Sequence, residues 1–253
     1  MSLDGKVAVI TGAGSGFGRG IAEAFVEKGA RVAVLDINPE AASAVSDGLG
    51  SAAIAVTADV TERESLSSAI EQVMDWAGTL NCVVNNAGMG LNPTGLEFVS
   101  EDDFDRIAAV NMKSIYLMSQ ITVPIFRAQN LTTQKQAAIL NIASTAGVSP
   151  RPNLTWYNAS KGWVITATKS MAVELAPHNI RVNALNPVAG DTPMLATFLG
   201  EDTPENRDKF LNTIPLGRFS TPNDLGQAAA FLCSDDASLI TGVALEVDGG
   251  RCV

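Results

Sequence analysis

Cysteine and histidine are nearly absent from this chain, and the little there is forms no pattern. The three cysteines, Cys82, Cys233 and Cys252, show no CxxC or Cys/His spacing, which argues against a disulfide framework and fits a reducing compartment, and no metal is expected. The one histidine, His178, follows a proline between a helical and a strand-like segment and reads as a solvent-facing loop residue. No apolar stretch approaches the roughly 18 residues of a membrane span. The N-terminus runs into a strand-like segment with no charged-then-apolar leader. Basic residues are also in deficit: 17 Lys and Arg against 27 Asp and Glu leave a net charge of −10. Nucleic acid and anionic membrane are therefore disfavoured as partners. A soluble, cytoplasmic protein acting on a small molecule is expected.

What is present is core-forming material. Hydrophobic residues make up 46% of the 253 and charged residues 17%, far from a disordered composition. Short apolar runs at 7–10, 31–35, 53–56, 82–84, 138–142, 180–185 and 243–247 alternate with longer helical patterns, such as Ile21/Phe25, Ile70/Val73/Met74 and Ile107/Val110/Ser114/Leu117/Ile121/Ile125. Most runs are continuously apolar, as parallel strands covered on both faces require. The alternation predicts an α/β fold, a single doubly wound parallel sheet of Rossmann type with helices on both faces. No linker or repeat interrupts residues 1–253, so one domain is expected. Two segments depart from the alternation. Residues 129–136 are polar and read as a surface loop. Residues 191–218 lack a strand signal but hold short helical patterns at 194–199 and 204–211. An insertion after a late strand lies above the carboxyl edge of such a sheet, so a substrate lid is expected at about 190–218.

The first strand leads into TGAGSGFG at 11–18 and then a helix. Glycines there let bare backbone approach a pyrophosphate, and the helix start supplies free N–H groups. The spacing Gly12, Gly16, Gly18 is GxxxGxG, with Ser15 and Phe17 in the turn. Asp36 closes the second strand. An acid there bonds the adenosine ribose hydroxyls and repels a 2′-phosphate; it is also a common turn residue before Asn38-Pro39. Neither Ser15 nor Ile37 offers a cation for that phosphate, so NAD is expected rather than NADP.

Tyr157 and Lys161 stand one turn apart at the start of a helical pattern running from 155 to about 176. A free phenol titrates near pH 10, and an adjacent ammonium should lower that. The pair thus reads as a proton donor and acceptor, or as two ordinary surface residues. Ser144 ends the fifth strand, where a hydroxyl either orients a substrate oxygen or caps a local turn.

The ordered set TGAGSGFG, Asp59-Val60, NNAG (85–88), Asn111, Ser144, YNASK (157–161), IRVNALNP (180–187) and VDGG (247–250) resembles the short-chain dehydrogenase/reductase family from end to end. The resemblance implies NAD(H)-dependent interconversion of a secondary alcohol and a ketone. Tyr157 would be the acid/base and Ser144 the substrate anchor. Lys161 would contact the nicotinamide ribose, and Asn111 would interrupt a long helix and hold, through its carbonyl, a water linked to Lys161. Asp59 and Val60 would bind adenine, and Asn86, Ala87 and Gly88 would line the adenosine ribose. Asn85 would tie the sheet together, while Pro187 and Thr192 would hold the carboxamide. One departure is visible: the glycine usually following the proline is displaced to Gly190, leaving Val188 to intrude on the pocket. Asn92, Val148, Asn153, Val188 and Met194 are the substrate-side candidates, a mostly neutral set that disfavours a strongly anionic small acid. A carrier-linked 3-oxoacyl reductase using NADPH and a non-redox or regulatory member of the same fold are the rivals. The resemblance also implies a homo-oligomer, tetramer or dimer.

Overall fold

The seven apolar runs become the seven strands of one sheet. The computed structural model describes residues 2–133 and 135–253. Its strands are β1 (Val7–Thr11), β2 (Arg31–Asp36), β3 (Ala53–Thr57), β4 (Cys82–Asn85), β5 (Ala137–Ile142), β6 (Ile180–Pro187) and β7 (Ala244–Val247). All pairings are parallel, in the order β3-β2-β1-β4-β5-β6-β7. Alternate residues of β1 serve opposite cores. Ala8 and Ile10 pack with Ile21, Phe25, Leu225 and Ala229 on one face, while Val7 and Val9 pack with Leu66, Ile70, Leu117 and Phe126 on the other. A strand covered on both sides has no polar face to alternate with, hence the unbroken apolar runs. The edge strands β3 and β7 are the exceptions and leave Ala55 and Glu246 exposed.

The first face carries α1 (Gly16–Glu27), α2 (Pro39–Leu49) and, from the far end of the chain, α9 (Pro222–Cys233). The second carries α3 (Arg63–Ala77), α5 (Ser114–Thr133) and α6 (Thr155–Leu175). After β3 the chain crosses back over β1 to form β4. The direction of winding therefore reverses between β1 and β4, where a crevice opens at the strands' carboxyl ends.

The long helical pattern 107–125 is interrupted at Asn111: α4 (Glu101–Ala108) is joined to α5 by a π-turn at Ala109–Lys113, centred on that residue. One local expectation is corrected. Residues 129–133 are not loop but the last turns of α5. Gln129 explains this, because its side-chain amide accepts from the Leu80 N–H (3.0 Å) and donates to the Leu80 carbonyl (2.6 Å), fastening the helix end to buried backbone. The remainder of the expected loop includes Gln134, which lies outside the described residues.

The insertion after β6 holds α7 (Leu195–Leu199) and α8 (Pro204–Leu211). Its ends are tied together, with Gly190 bridging Ser220 and Asp191 N donating to the Ser220 carbonyl at 3.0 Å. Among the described residues no helix is long and apolar enough to cross a membrane, and no group of three or more His, Cys, Asp or Glu is placed to hold a metal.

Candidate active site

A cavity of about 610 Å³ opens at the carboxyl edge of the sheet and runs from Asp36 to the insertion. At one end, Ser15 immediately precedes α1 at the N-cap position but its side chain makes no cap bond, and the first turn of α1 carries no acidic residue. The N–H groups that a helix start leaves free have no built-in anion here, which suits a phosphate. Asn86 holds the turn in place: its side-chain amide donates to the carbonyls of Thr11 (2.8 Å) and Gly12 (3.1 Å). Thr11 Oγ1 in turn accepts from Asn86 N and Ala87 N. Gly18 lies behind the turn, where a Cβ would overlap the Gly12 carbonyl oxygen; it allows the close packing and does not line the cavity. Asp36 accepts from Gly14 N (2.9 Å) and Asn38 N (3.0 Å), which fixes its carboxylate at the cavity wall. Ile37 beside it is 67% exposed. Asp59 and Val60 complete this end, and Asp59 accepts from Thr61 N and Oγ1.

The other end is built on α6. A buried chain of side-chain bonds fixes this helix to the sheet: Asn85 Nδ2 to Asn141 Oδ1 (2.8 Å), then Asn141 Nδ2 to Thr168 Oγ1 (2.9 Å). Asn85 thus ties strands together as expected. Tyr157 and Lys161, each 6% exposed, face the cavity beside Ser144. Lys161 Nζ lies 6.0 Å from the Tyr157 ring centroid and donates to the Ile142 carbonyl at 2.9 Å. Ser144 Oγ accepts from Ala146 N at 3.1 Å, so the residue caps its turn and faces the cavity at once.

The proton chemistry departs from the sequence expectation. Burial pushes the Tyr157 phenol up to about 12, and the influences pulling it back are Ser144 and Arg151. Lys161 is itself brought down to about 8 by burial. Desolvation is the largest influence on both groups, and the lysine ammonium is not among the influences that pull the phenol back.

Asn111 lies on the π-turn. Its side chain accepts from Met89 N (2.9 Å) and donates to the Met89 carbonyl (3.0 Å) and Ser160 Oγ (3.1 Å). It sits close to Lys161, since a Cβ on Gly88 would be 3.5 Å from both Asn111 Oδ1 and Lys161 Nζ, but it is not on the cavity wall.

Gly12, Ser15, Gly16, Phe17, Ala87, Gly88, Pro187, Val188, Thr192 and Met194 all reach the cavity. Asn92, Val148 and Asn153 do not. The 3-10 turn at Thr145–Gly147 leaves Val148 46% exposed and brings Ser149 inward instead. Asn153 takes a left-handed conformation (φ 62°) and gives its carbonyl to Thr94 N. Substrate-side walls that the sequence reading missed come from Met89, Arg151, Phe198, Phe210 and Arg251. The displaced glycine has a local cause: a Cβ at Gly190 would overlap the Phe17 ring, which packs on it.

A family model described as enoyl-(acyl carrier protein) reductase matches residues 12–251. The chain is 45% identical to a 4-formylbenzenesulfonate dehydrogenase of Comamonas testosteroni, over 99% of each sequence. It is 36% identical to a 2-(S)-hydroxypropyl-CoM dehydrogenase of Xanthobacter autotrophicus, over 98% of this chain and 97% of that one. A crystal structure of 3-ketoacyl-(acyl-carrier-protein) reductase from Brucella melitensis, complexed with NADH, shares 50% identity and a TM-score of 0.95 over all of both chains. The chain belongs to the short-chain dehydrogenase/reductase family, whose members at this similarity are oxidoreductases.

Proposed function

We propose that the protein is an NAD(H)-dependent oxidoreductase interconverting a secondary alcohol and its ketone, with Ser144, Tyr157, Lys161 and Asn111 as its proton-handling set. The observation that carries this reading is the buried Tyr157 phenol sharing one cavity with an uncapped, acid-free helix start and the Asp36 carboxylate. Among the described residues the basic side chains on the cavity wall are Arg151, Lys161 and Arg251; all are remote in sequence from Asp36, and none belongs to the Ser15–Asp36 end that would receive a 2′-phosphate. That supports NAD over NADP. Ser15, Gly16 and Phe17 would hold the pyrophosphate, Asp36 the ribose hydroxyls, and Thr192 with Pro187 the carboxamide. Bound nicotinamide would accept or deliver the hydride.

The chain's own residues handle the rest. Ser144 Oγ orients the substrate oxygen. The Tyr157 hydroxyl, kept protonated by burial, gives its proton to that oxygen as a carbonyl is reduced. In the oxidising direction the phenolate must form, which Arg151 and Ser144 favour, so alcohol oxidation should accelerate toward alkaline pH. The name of the hydroxypropyl-CoM dehydrogenase supports CH–OH chemistry, and that of the formylbenzenesulfonate dehydrogenase supports oxidoreduction at a carbonyl carbon. The Brucella relative, a 3-ketoacyl-(acyl-carrier-protein) reductase, supports a second reading, reduction of a 3-ketoacyl thioester, and the NADH in its complex agrees with Asp36.

A panel of alcohols, ketones and an acetoacetyl thioester, followed at the NADH absorbance with NAD and NADP in parallel, tests the proposal. Tyr157→Phe should lower kcat at least about a thousandfold while NADH binding stays within about threefold. A near-normal rate in that variant would remove Tyr157 from the mechanism. A preference for NADP would refute the cofactor assignment.

A further inference from the structure

The substrate end of the cavity carries two arginines with no counter-ion. Arg207 pairs with Asp202 and Asp191, and Arg218 forks onto Asp224 at 2.6 and 2.9 Å. Arg151 and Arg251 make no ion pair among the described residues, yet both line the cavity. They also sit against the same ring, with guanidinium carbons 4.9 Å (Arg151) and 5.4 Å (Arg251) from the Phe210 centroid. Arg151 lies 5.7 Å from the Phe198 ring as well, and Phe198 lies 5.1 Å from Tyr157, centroid to centroid. A continuous path of rings therefore leads from the phenol to the two cations.

Both are held in place. Arg151 is partly buried, and Arg251 Nε donates to Thr213 Oγ1 at 3.1 Å. The turn that carries Arg251 is fastened by the buried Asp248 carboxylate, which accepts from Gly250 N and Cys252 N at 2.8 Å each. Burial first, and Arg251 beside it second, make the charge on Arg151 less favourable than in water. Like charges held together in a partly dry site are unfavourable until an anion arrives. The phosphates of a dinucleotide would sit at the helix start at Ser15, and among the described residues no hydrogen bond, ion pair or ring contact joins that turn to Arg151 or Arg251, so they are not the expected counter-ion.

We propose that Arg151 and Arg251 form an anion-binding subsite for the substrate. The substrate class is then a carbonyl compound, or its alcohol, bearing a carboxylate or sulfonate across an aromatic spacer that lies against Phe198 and Phe210. This rests on the oxidoreductase reading above, which it narrows, and it reverses the sequence expectation of a neutral pocket. Guanidinium forks match carboxylate and sulfonate oxygens alike.

The test is calorimetric binding to the enzyme with and without NAD+, in which a ketone cannot be reduced. The probes are 4-acetylbenzoate, 4-acetylbenzenesulfonate and the neutral methyl 4-acetylbenzoate. At least one anion should bind about tenfold or more tighter than the ester, and comparing the two anions identifies the preferred head group. Arg151→Gln and Arg251→Gln, each with its melting transition checked, should cut that ratio below about threefold. A ratio near one in the unmodified enzyme, no measurable binding of either anion, or an unchanged ratio in both variants overturns the subsite. If the ratio stands but no ketone in the panel is reduced by NADH, the oxidoreductase reading fails and the subsite survives.

Discussion

Lys161 should make the stability of the protein rise with pH over a range where most proteins lose it. Its ammonium is 6% exposed, its hydrogen bond goes to the Ile142 carbonyl, and burial lowers its pKa from 10.5 to about 8. The unfolded chain holds this proton more tightly than the folded one. Folding therefore bears the whole cost of the buried charge below pH 8 and recovers it as pH climbs from about 8 toward 10.5. At 1.36 kcal/mol for each pH unit of displaced titration, the recovery between pH 7 and pH 10 comes to about 2.5 kcal/mol. Tyr157 acts oppositely but later. Its raised pKa contributes stability that is fully present below pH 10 and is lost between 10 and about 12. Lys161→Met removes the titrating group and leaves the Ile142 carbonyl without its donor, a cost that does not change with pH. Urea unfolding of both proteins at pH 7, 8, 9 and 10 isolates the lysine by difference. The variant's stability relative to the unmodified protein should fall by about 2 to 3 kcal/mol across that range. Parallel curves would show that the ammonium is not desolvated as described.

Two further perturbations follow from the packing. Gly190→Ala should displace the Phe17 ring and cost about 1 to 3 kcal/mol; Phe17→Ala in the same chain should recover part of that, and strictly additive losses in the double variant would refute the contact. Gln129→Ala should lower stability by about 1 to 3 kcal/mol by stranding the N–H and carbonyl of the fully buried Leu80, and an unchanged melting temperature would restore the loop reading of that segment.

The strands were legible because a parallel strand buried on both faces leaves little room for polar residues, and the runs at 7–10 and 82–84 show that constraint directly. The glycine turn and Asp36 were legible because they are local: the residues that act together are neighbours in the chain or end adjacent strands. Gln129 was not, since a glutamine in a polar stretch looks like any surface residue until Leu80 is placed beside it. Asn92, Val148 and Asn153 lie near the site in sequence but off the cavity wall in space. Turn conformation decides which way such residues face, and a left-handed φ at Asn153 is not written in its neighbours.

The same distinction governs the chemistry. An i, i+4 spacing puts a lysine near a tyrosine, and the structure keeps them 6.0 Å apart, ring centroid to Nζ. Spacing carries no information about depth, however, and depth is the larger influence: α6 packs its first turns under the insertion and against the edge of the sheet, so both groups are dry. The cation that does bear on the phenol is Arg151, six residues upstream and off the helix, which the fold turns into the same cavity. Arg251 joins it from the far end of the chain. Proton donor and anion-facing cations are therefore coupled through one residue. A substrate anion that neutralises Arg151 would withdraw one of the influences favouring phenolate and hold the phenol in the form that protonates a carbonyl. Burial already keeps the phenol protonated, so an anionic ketone gains no acid form from this, whereas an anionic alcohol would have to be oxidised against that bias.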